Sequence, residues 1–204
     1  FEQEFLKYNV PYKVYGGFKF FDRKEIKDLT AYLRVIENPR DNESLIRIIN
    51  VPRRGIGEKT VAALREQADA EGISLFDEIV DYSSLGKEGA VKNKIAAFKS
   101  TVTELVIDSV DKNVNEIIKN VIAKTDFLSQ FEEQTEENLS KRMNVDELVA
   151  SAEEFVKTNP TLTLTDYLSS ITLSSDVDDM DSSNFVTVAT IHAVKGLEFT
   201  YVYV

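Results

Sequence analysis

The sequence predicts a mainly α fold, a helical insertion subdomain carried on a small parallel-β remnant of an α/β domain formed by the two chain ends. Three observations predict it. Apolar residues recur at helical spacing through the middle of the chain. β-prone runs occur only near its ends, and the C-terminal runs are almost continuously apolar, as strands covered on both faces are. The expected boundaries are 1–37 and 184–204 for the α/β portion and 38–183 for the helical insertion.

Tyr12-Lys13-Val14-Tyr15 is a brief β-prone run halted by Gly16-Gly17. Over residues 23–37, Ile26, Leu29, Leu33 and Ile36 fall on one helical stripe, which Asn38-Pro39 ends. Residues 44–50 make a short helix with Leu45, Ile48 and Ile49 inward, and residues 58–70 another with Val61, Leu64 and Ala68 inward. Further helices are expected over 92–110, 114–124, 141–157 and 164–170, with Phe98, Ile118 and Leu148 among their inward residues. The acidic, Ser-rich stretch 174–184 reads as a surface loop and linker. Beyond it, 185–191 is β-prone, 192–196 is a turn, and 199–204 is strand-like again. The first residue, Phe1, and the apolar run Tyr201-Val202-Tyr203-Val204 suggest a chain cut from a longer protein.

The composition bounds the function. With 43% hydrophobic and 29% charged residues, the 204-residue chain can bury a sizeable core, and disorder is excluded for its bulk. Without Cys there is no disulfide framework, thiolate metal site or cysteine nucleophile, and a single His argues against a zinc site, so no metal site is expected. No run approaches the about 18 apolar residues that cross a bilayer, so no membrane partner is expected. The net charge of −11 excludes indiscriminate coating of nucleic acid. That charge is unevenly spread: residues 1–65 hold 13 basic and nine acidic residues, net +4, and the remainder is net −15.

Three stretches can carry chemistry. In Pro52-Arg53-Arg54-Gly55-Ile56-Gly57, separated from Thr60 by two residues, a Gly-hydrophobic-Gly turn lies between two short helices, with Arg47, Arg53, Arg54, Lys59 and Arg65 around it. Glycines let backbone N–H groups come close to a phosphate, and the spacing is that of a helix-hairpin-helix element, over residues 44–68, which grips nucleic-acid backbone without reading sequence. The other reading is a tight connection with solvated arginines. The second stretch is Thr190-Ile191-His192-Ala193-Val194-Lys195-Gly196-Leu197-Glu198-Phe199, at the carboxyl end of an expected parallel strand, where α/β sheets place ligands. Here a strand-end His bonded to backbone and a Lys195–Glu198 surface pair are equally open. The third, Tyr15-Gly16-Gly17-Phe18-Lys19-Phe20-Phe21-Asp22-Arg23, offers either aromatic stacking with basic contacts for single-stranded nucleic acid or core phenylalanines. The acidic run Glu132-Glu133, Glu136-Glu137 reads as a solvated helix face. There is no phosphate-binding loop with Lys-Ser/Thr and no acidic pair of the magnesium-holding kind, so the chain alone is not expected to hydrolyse a nucleotide.

Together the stretches resemble the UvrD/PcrA/Rep family of superfamily-one DNA helicases, PcrA-type members above all. The resemblance rests on Tyr15-Gly16-Gly17, Phe20-Phe21-x-Arg23-x-Glu25-Ile26-Lys27-Asp28 and Tyr32-Leu33-Arg34. It continues in Arg47-Ile48-Ile49-Asn50-x-Pro52-x-Arg54-Gly55-Ile56-Gly57, more weakly in Arg142-x-Asn144-x-x-Glu147-Leu148, and ends in Thr190 to Phe199, which looks like helicase motif V. It implies that the ends belong to the second RecA-like motor domain and the middle to its helical (2B-like) accessory insertion. By that resemblance Glu198 would hold the ATP ribose with Lys195 supporting it, and Thr190 and His192 would lie along single-stranded DNA. Arg54, Gly55, Gly57 and Thr60 would contact duplex at the fork, with Arg23 a further DNA candidate. No complete catalytic set is present.

The intact parent would be an ATP-dependent DNA helicase, an ATP hydrolase using ATP and Mg2+ and translocating three-prime to five-prime in DNA repair or replication. It would work in the bacterial cytoplasm at the nucleoid, with its first motor domain in the same chain and a repair protein as a further partner. Neither ATP nor Mg2+ is expected on this chain alone. Two other functions stay open: a non-enzymatic regulatory module docking a protein through its acidic helices, and part of a helicase–nuclease subunit.

Overall fold

A computed structural model of the chain describes residues 4, 5, 8, 10–15, 20–84, 89–176, 185–189, 191, 194–196 and 198–203, with backbone alone for 13–15, 83, 84 and 173–176. The described residues are mainly helical, as expected. They hold two short strands, β1 (Tyr12–Tyr15) and β2 (Val186–Ala189), and eight helices. These are α1 (Lys24–Glu37), α2 (Asn42–Ile48), α3 (Glu58–Glu71), α4 (Leu75–Ser84), α5 (Ala90–Ser109), α6 (Val114–Thr125), α7 (Glu136–Thr158) and α8 (Leu164–Asp176). The chain divides into two compact units, Lys24–Ser169 and, from both ends, Phe1–Arg23 with Ser170–Val204.

In the helical unit, α1 is the hub. Its Ile26, Leu29, Leu33 and Ile36 stripe is buried as the spacing predicts, but so are Ala31, Tyr32, Val35 and even Glu25, Asp28 and Thr30. A helix enclosed on nearly every side has neighbours on nearly every side, and α1 packs on α2, α5, α6 and α7. This enclosure is why compactness places the start of the helical unit at Lys24. Polar side chains fix the starts of α2, α6 and α7. Asp41 accepts from the Ser44 N–H at 3.1 Å to cap α2, Asn113 and Glu116 form a reciprocal capping box on α6, and Thr135 caps α7.

Two elements depart from expectation. Helix α4 lies where no helix is predicted. Its signal is Ser74, whose hydroxyl accepts from the Asp77 N–H at 3.1 Å and donates to the Asp77 carboxylate at 2.7 Å, a Ser-x-x-Asp start preceding Ile79 and Val80. Helix α7 begins five residues before its expected start at 141, because its first turn is polar and owes its geometry to the Thr135 cap rather than to apolar periodicity.

In the unit built from the ends, β1 and β2 pair in parallel, with Tyr12 opposite Val186 and Tyr15 opposite Ala189. The strand expected at 199–204 does not form over the described residues 199–203, which are exposed; without a pairing strand, apolar β-prone residues have no ladder to join. The expected loop at 174–184 is helical through Asp176, and the rest of it lies outside the described residues.

Candidate nucleic-acid interface

The turn between α2 and α3 is built from inside by three side chains. The Asn50 carboxamide oxygen accepts from the Arg54 N–H at 2.8 Å and the Ile56 N–H at 3.3 Å, holding the bend closed. The Arg54 guanidinium turns inward: its Nη1 donates to the carbonyls of Ile48 (3.0 Å), Val51 (2.9 Å) and Pro52 (3.3 Å), and its Nη2 to the Tyr32 hydroxyl at 2.6 Å. Its Cζ also lies 5.3 Å from the centre of the Phe98 ring on α5. Tyr32 accepts from Arg54 and donates to the Val51 carbonyl. Burial raises that hydroxyl above its ordinary pKa, with Arg54 opposing, so Tyr32 keeps the proton that it donates. Arg54, expected on duplex DNA, also braces the turn from within, supplying donors to carbonyls at the end of α2 and in the bend.

Arg47 is likewise engaged. Its Nε lies 2.8 Å from the buried Asp28 carboxylate and its Nη2 donates to the Lys24 carbonyl, tying α2 to α1. Arg65 pairs with Asp69 one turn along α3. Of the five basic residues around the turn, Arg53 and Lys59 are exposed and make no ion pair among the described residues.

The glycines behave as the spacing requires. Gly55 has φ +70°, a conformation costly for other residues, and Gly57 is the N-cap of α3 without a side chain over the helix start. Among the described residues, the N–H groups of Gly55, Gly57, Glu58 and Lys59 have no hydrogen-bond acceptor. Thr60, half-buried, donates its N–H to the Gly57 carbonyl at 2.9 Å. The exposed side of the turn thus offers backbone donors and two cations beside a single acid, Glu58, which suits a phosphate ester.

A second motif-bearing contact lies inside the helical unit. Asn144 on α7 donates to the buried Glu25 carboxylate at 2.6 Å, joining two stretches 119 residues apart.

Of the strand-end segment, Val194–Gly196 form a turn with Gly196 at φ +91°. Lys195 and Glu198 are exposed and not paired with each other; Thr190 and His192 lie outside the described residues. In the aromatic stretch Phe20 is buried and meets Phe21 edge-on with ring centres 5.1 Å apart, and Arg23 lies 5.2 Å over the Phe20 ring. That is the core reading of Phe20; Phe18 and Lys19 lie outside the described residues. Among the described residues no cluster of His, Asp or Glu suits a metal ion, and no helix is long and apolar enough to cross a membrane.

The whole chain, residues 1–204, matches the family model of the UvrD-like helicase C-terminal domain. It is similar to the ATP-dependent DNA helicase PcrA of Staphylococcus epidermidis, 37% identical over 206 residues, and to that of Staphylococcus aureus, 36% identical over 206 residues. Each comparison covers 100% of this chain and 28% of the relative, so the chain spans little more than a quarter of the curated relatives it matches.

Proposed function

Because the chain belongs to the UvrD-like helicase C-terminal domain family, we propose that it serves an ATP-dependent DNA helicase and that its helical unit grips duplex DNA by the backbone at the α2–α3 turn. The observation that carries this reading is the two-sided construction of the turn. Asn50, Tyr32 and Arg54 fix it from within, leaving free N–H groups at Gly55, Gly57, Glu58 and Lys59 beside exposed Arg53 and Lys59. Donors fixed in place and cations on flexible stems bind phosphates without reading bases, so affinity should fall steeply with salt and be indifferent to sequence.

In the same reading, residues 1–37 and 184–204 contribute to the second motor domain and 38–183 form its accessory insertion. Thr190 and His192 face single-stranded DNA, and translocation runs three-prime to five-prime. Glu198, an exposed carboxylate, fits the hydroxyls of an ATP ribose, and Lys195 supports the turn that presents it. ATP would supply the free energy for domain motion. Mg2+ would be held by other parts of the protein, beside a first motor domain in the same polypeptide. A repair protein as partner and a cytoplasmic, nucleoid-associated location belong to this reading too.

The test is a fluorescence-anisotropy titration of the chain with blunt duplexes of unrelated sequence at a series of salt concentrations. The reading expects similar affinities for all sequences and a log–log salt slope of about −2 or steeper, from two or more phosphate contacts. A flat salt response would overturn it.

A further inference from the structure

Lys94 is remote from the turn in sequence but reaches it in space. It lies on α5, one helical turn before Phe98, so both side chains leave the same face. Phe98 is buried under the Arg54 guanidinium, and that docking sets where Lys94 lands: its Nζ donates to the Gly55 carbonyl at 3.2 Å. Lys94 is exposed and makes no ion pair among the described residues. An ammonium has three donors, and this one uses a single donor on Gly55, leaving two for solvent or a ligand. Lys94 lies close over Gly55: a Cβ there would sit 2.6 Å from the Lys94 Nζ, so a side chain at this position would displace the flexible end of Lys94.

We propose that Lys94 is a third cation of the duplex grip, a phosphate-binding residue that α5 supplies to the α2–α3 turn. The Gly55 carbonyl lies beside the free N–H groups and would repel an incoming phosphate. The ammonium over it removes that repulsion and presents a positive charge to the same phosphate run as Arg53 and Lys59. Its flexible four-carbon stem lets it leave the carbonyl and follow the backbone as DNA docks. The set that touches phosphate is then Arg53, Lys59 and Lys94, and the cation missing from the linear motif comes from a different helix.

This inference rests on the duplex-grip reading, and the experiment separates the two. Duplex affinity of the 204-residue chain is measured across salt for wild type, Lys94→Gln, Lys94→Arg, Arg53→Gln/Lys59→Gln, and Lys119→Gln as a control on the exposed side of α6. Lys94→Gln should flatten the salt slope by about one and weaken binding several-fold at the lowest salt. Lys94→Arg should restore the slope, Lys119→Gln should match wild type, and the melting temperature of Lys94→Gln should be unchanged. If Lys94→Gln keeps the wild-type slope while Arg53→Gln/Lys59→Gln loses about two, or if Lys94→Arg fails to restore it, Lys94 is not a phosphate contact and the grip reading stands without it. If neither Lys94→Gln nor Arg53→Gln/Lys59→Gln moves the slope, the grip reading falls and this inference with it.

Discussion

The α2–α3 turn and the strand-end segment after β2 both carry glycine and charged residues at motif spacing, but they are held differently. In the turn, Asn50, Arg54 and Tyr32 occupy one another and five backbone groups, so its shape is set within the helical unit. In the strand-end segment, Lys195 and Glu198 stand exposed, with no bond or ion pair to any described residue. The contrast separates motif residues whose side chains are engaged inside the fold from those left open to solvent. Which is which follows from where the donors point. Arg53 and Arg54 are neighbours of identical chemistry, yet one faces solvent and the other braces the bend.

The sharpest way to break the comparison is to remove the brace. Arg54→Ala strips donors from three carbonyls and the Tyr32 hydroxyl and should cost about 3 kcal/mol in urea unfolding, since bonds from a charged donor are the strong ones. Arg54→Lys should recover little of this, because one ammonium cannot reproduce the fork.

Next is Arg47→Ala, expected to cost about 2 kcal/mol by leaving the Asp28 carboxylate buried without its partner, a figure reduced because Arg47 is itself partly exposed. Adding Asp28→Asn should return more than half of the loss. This pair also carries a pH signature. Burial, the largest influence, raises the Asp28 carboxyl above its ordinary 3.8, with Arg47 opposing. The folded chain therefore holds that proton more tightly than the unfolded one, so the contribution is full below 3.8 and is lost as pH rises through the folded value. Arg47→Ala should extend this loss to higher pH, and Asp28→Asn should abolish it, as read from unfolding free energy across the acid range.

Asn144→Ala should cost about 1 kcal/mol in the same assay by withdrawing the donor to buried Glu25. The smallest effects belong to the strand-end segment: Lys195→Ala and Glu198→Ala should each change stability by less than about 0.5 kcal/mol, as exposed residues without partners do. A large loss from either would erase the contrast between the two regions.

Much of the fold was legible because apolar spacing states which face is buried, and α1, α3, α5 and α6 lie within two residues of their expected bounds. Helix α4 and the first turn of α7 were missed because their starts are written in caps, Ser74 with Asp77 and Thr135, and not in periodicity. The 199–204 run shows the converse. β-propensity without a neighbour to pair with makes no strand over its described residues. At the site, Gly55 was legible because the turn's left-handed backbone there favours glycine. The inward aim of Arg54 was not, since it depends on Tyr32 and Phe98, 22 and 44 residues away. Lys94 was invisible for the same reason.

The central claim is that inward arginines build the turn and outward cations grip DNA. The most direct measurement takes unfolding free energy and the salt slope of duplex binding on the same two proteins, Arg54→Gln and Arg53→Gln/Lys59→Gln. The account predicts that Arg54→Gln loses stability while its folded fraction keeps nearly the wild-type slope, and that Arg53→Gln/Lys59→Gln keeps its stability and loses about two from the slope. The reverse assignment, with Arg54→Gln fully stable but shallower in slope and the double variant unchanged in binding, would contradict it.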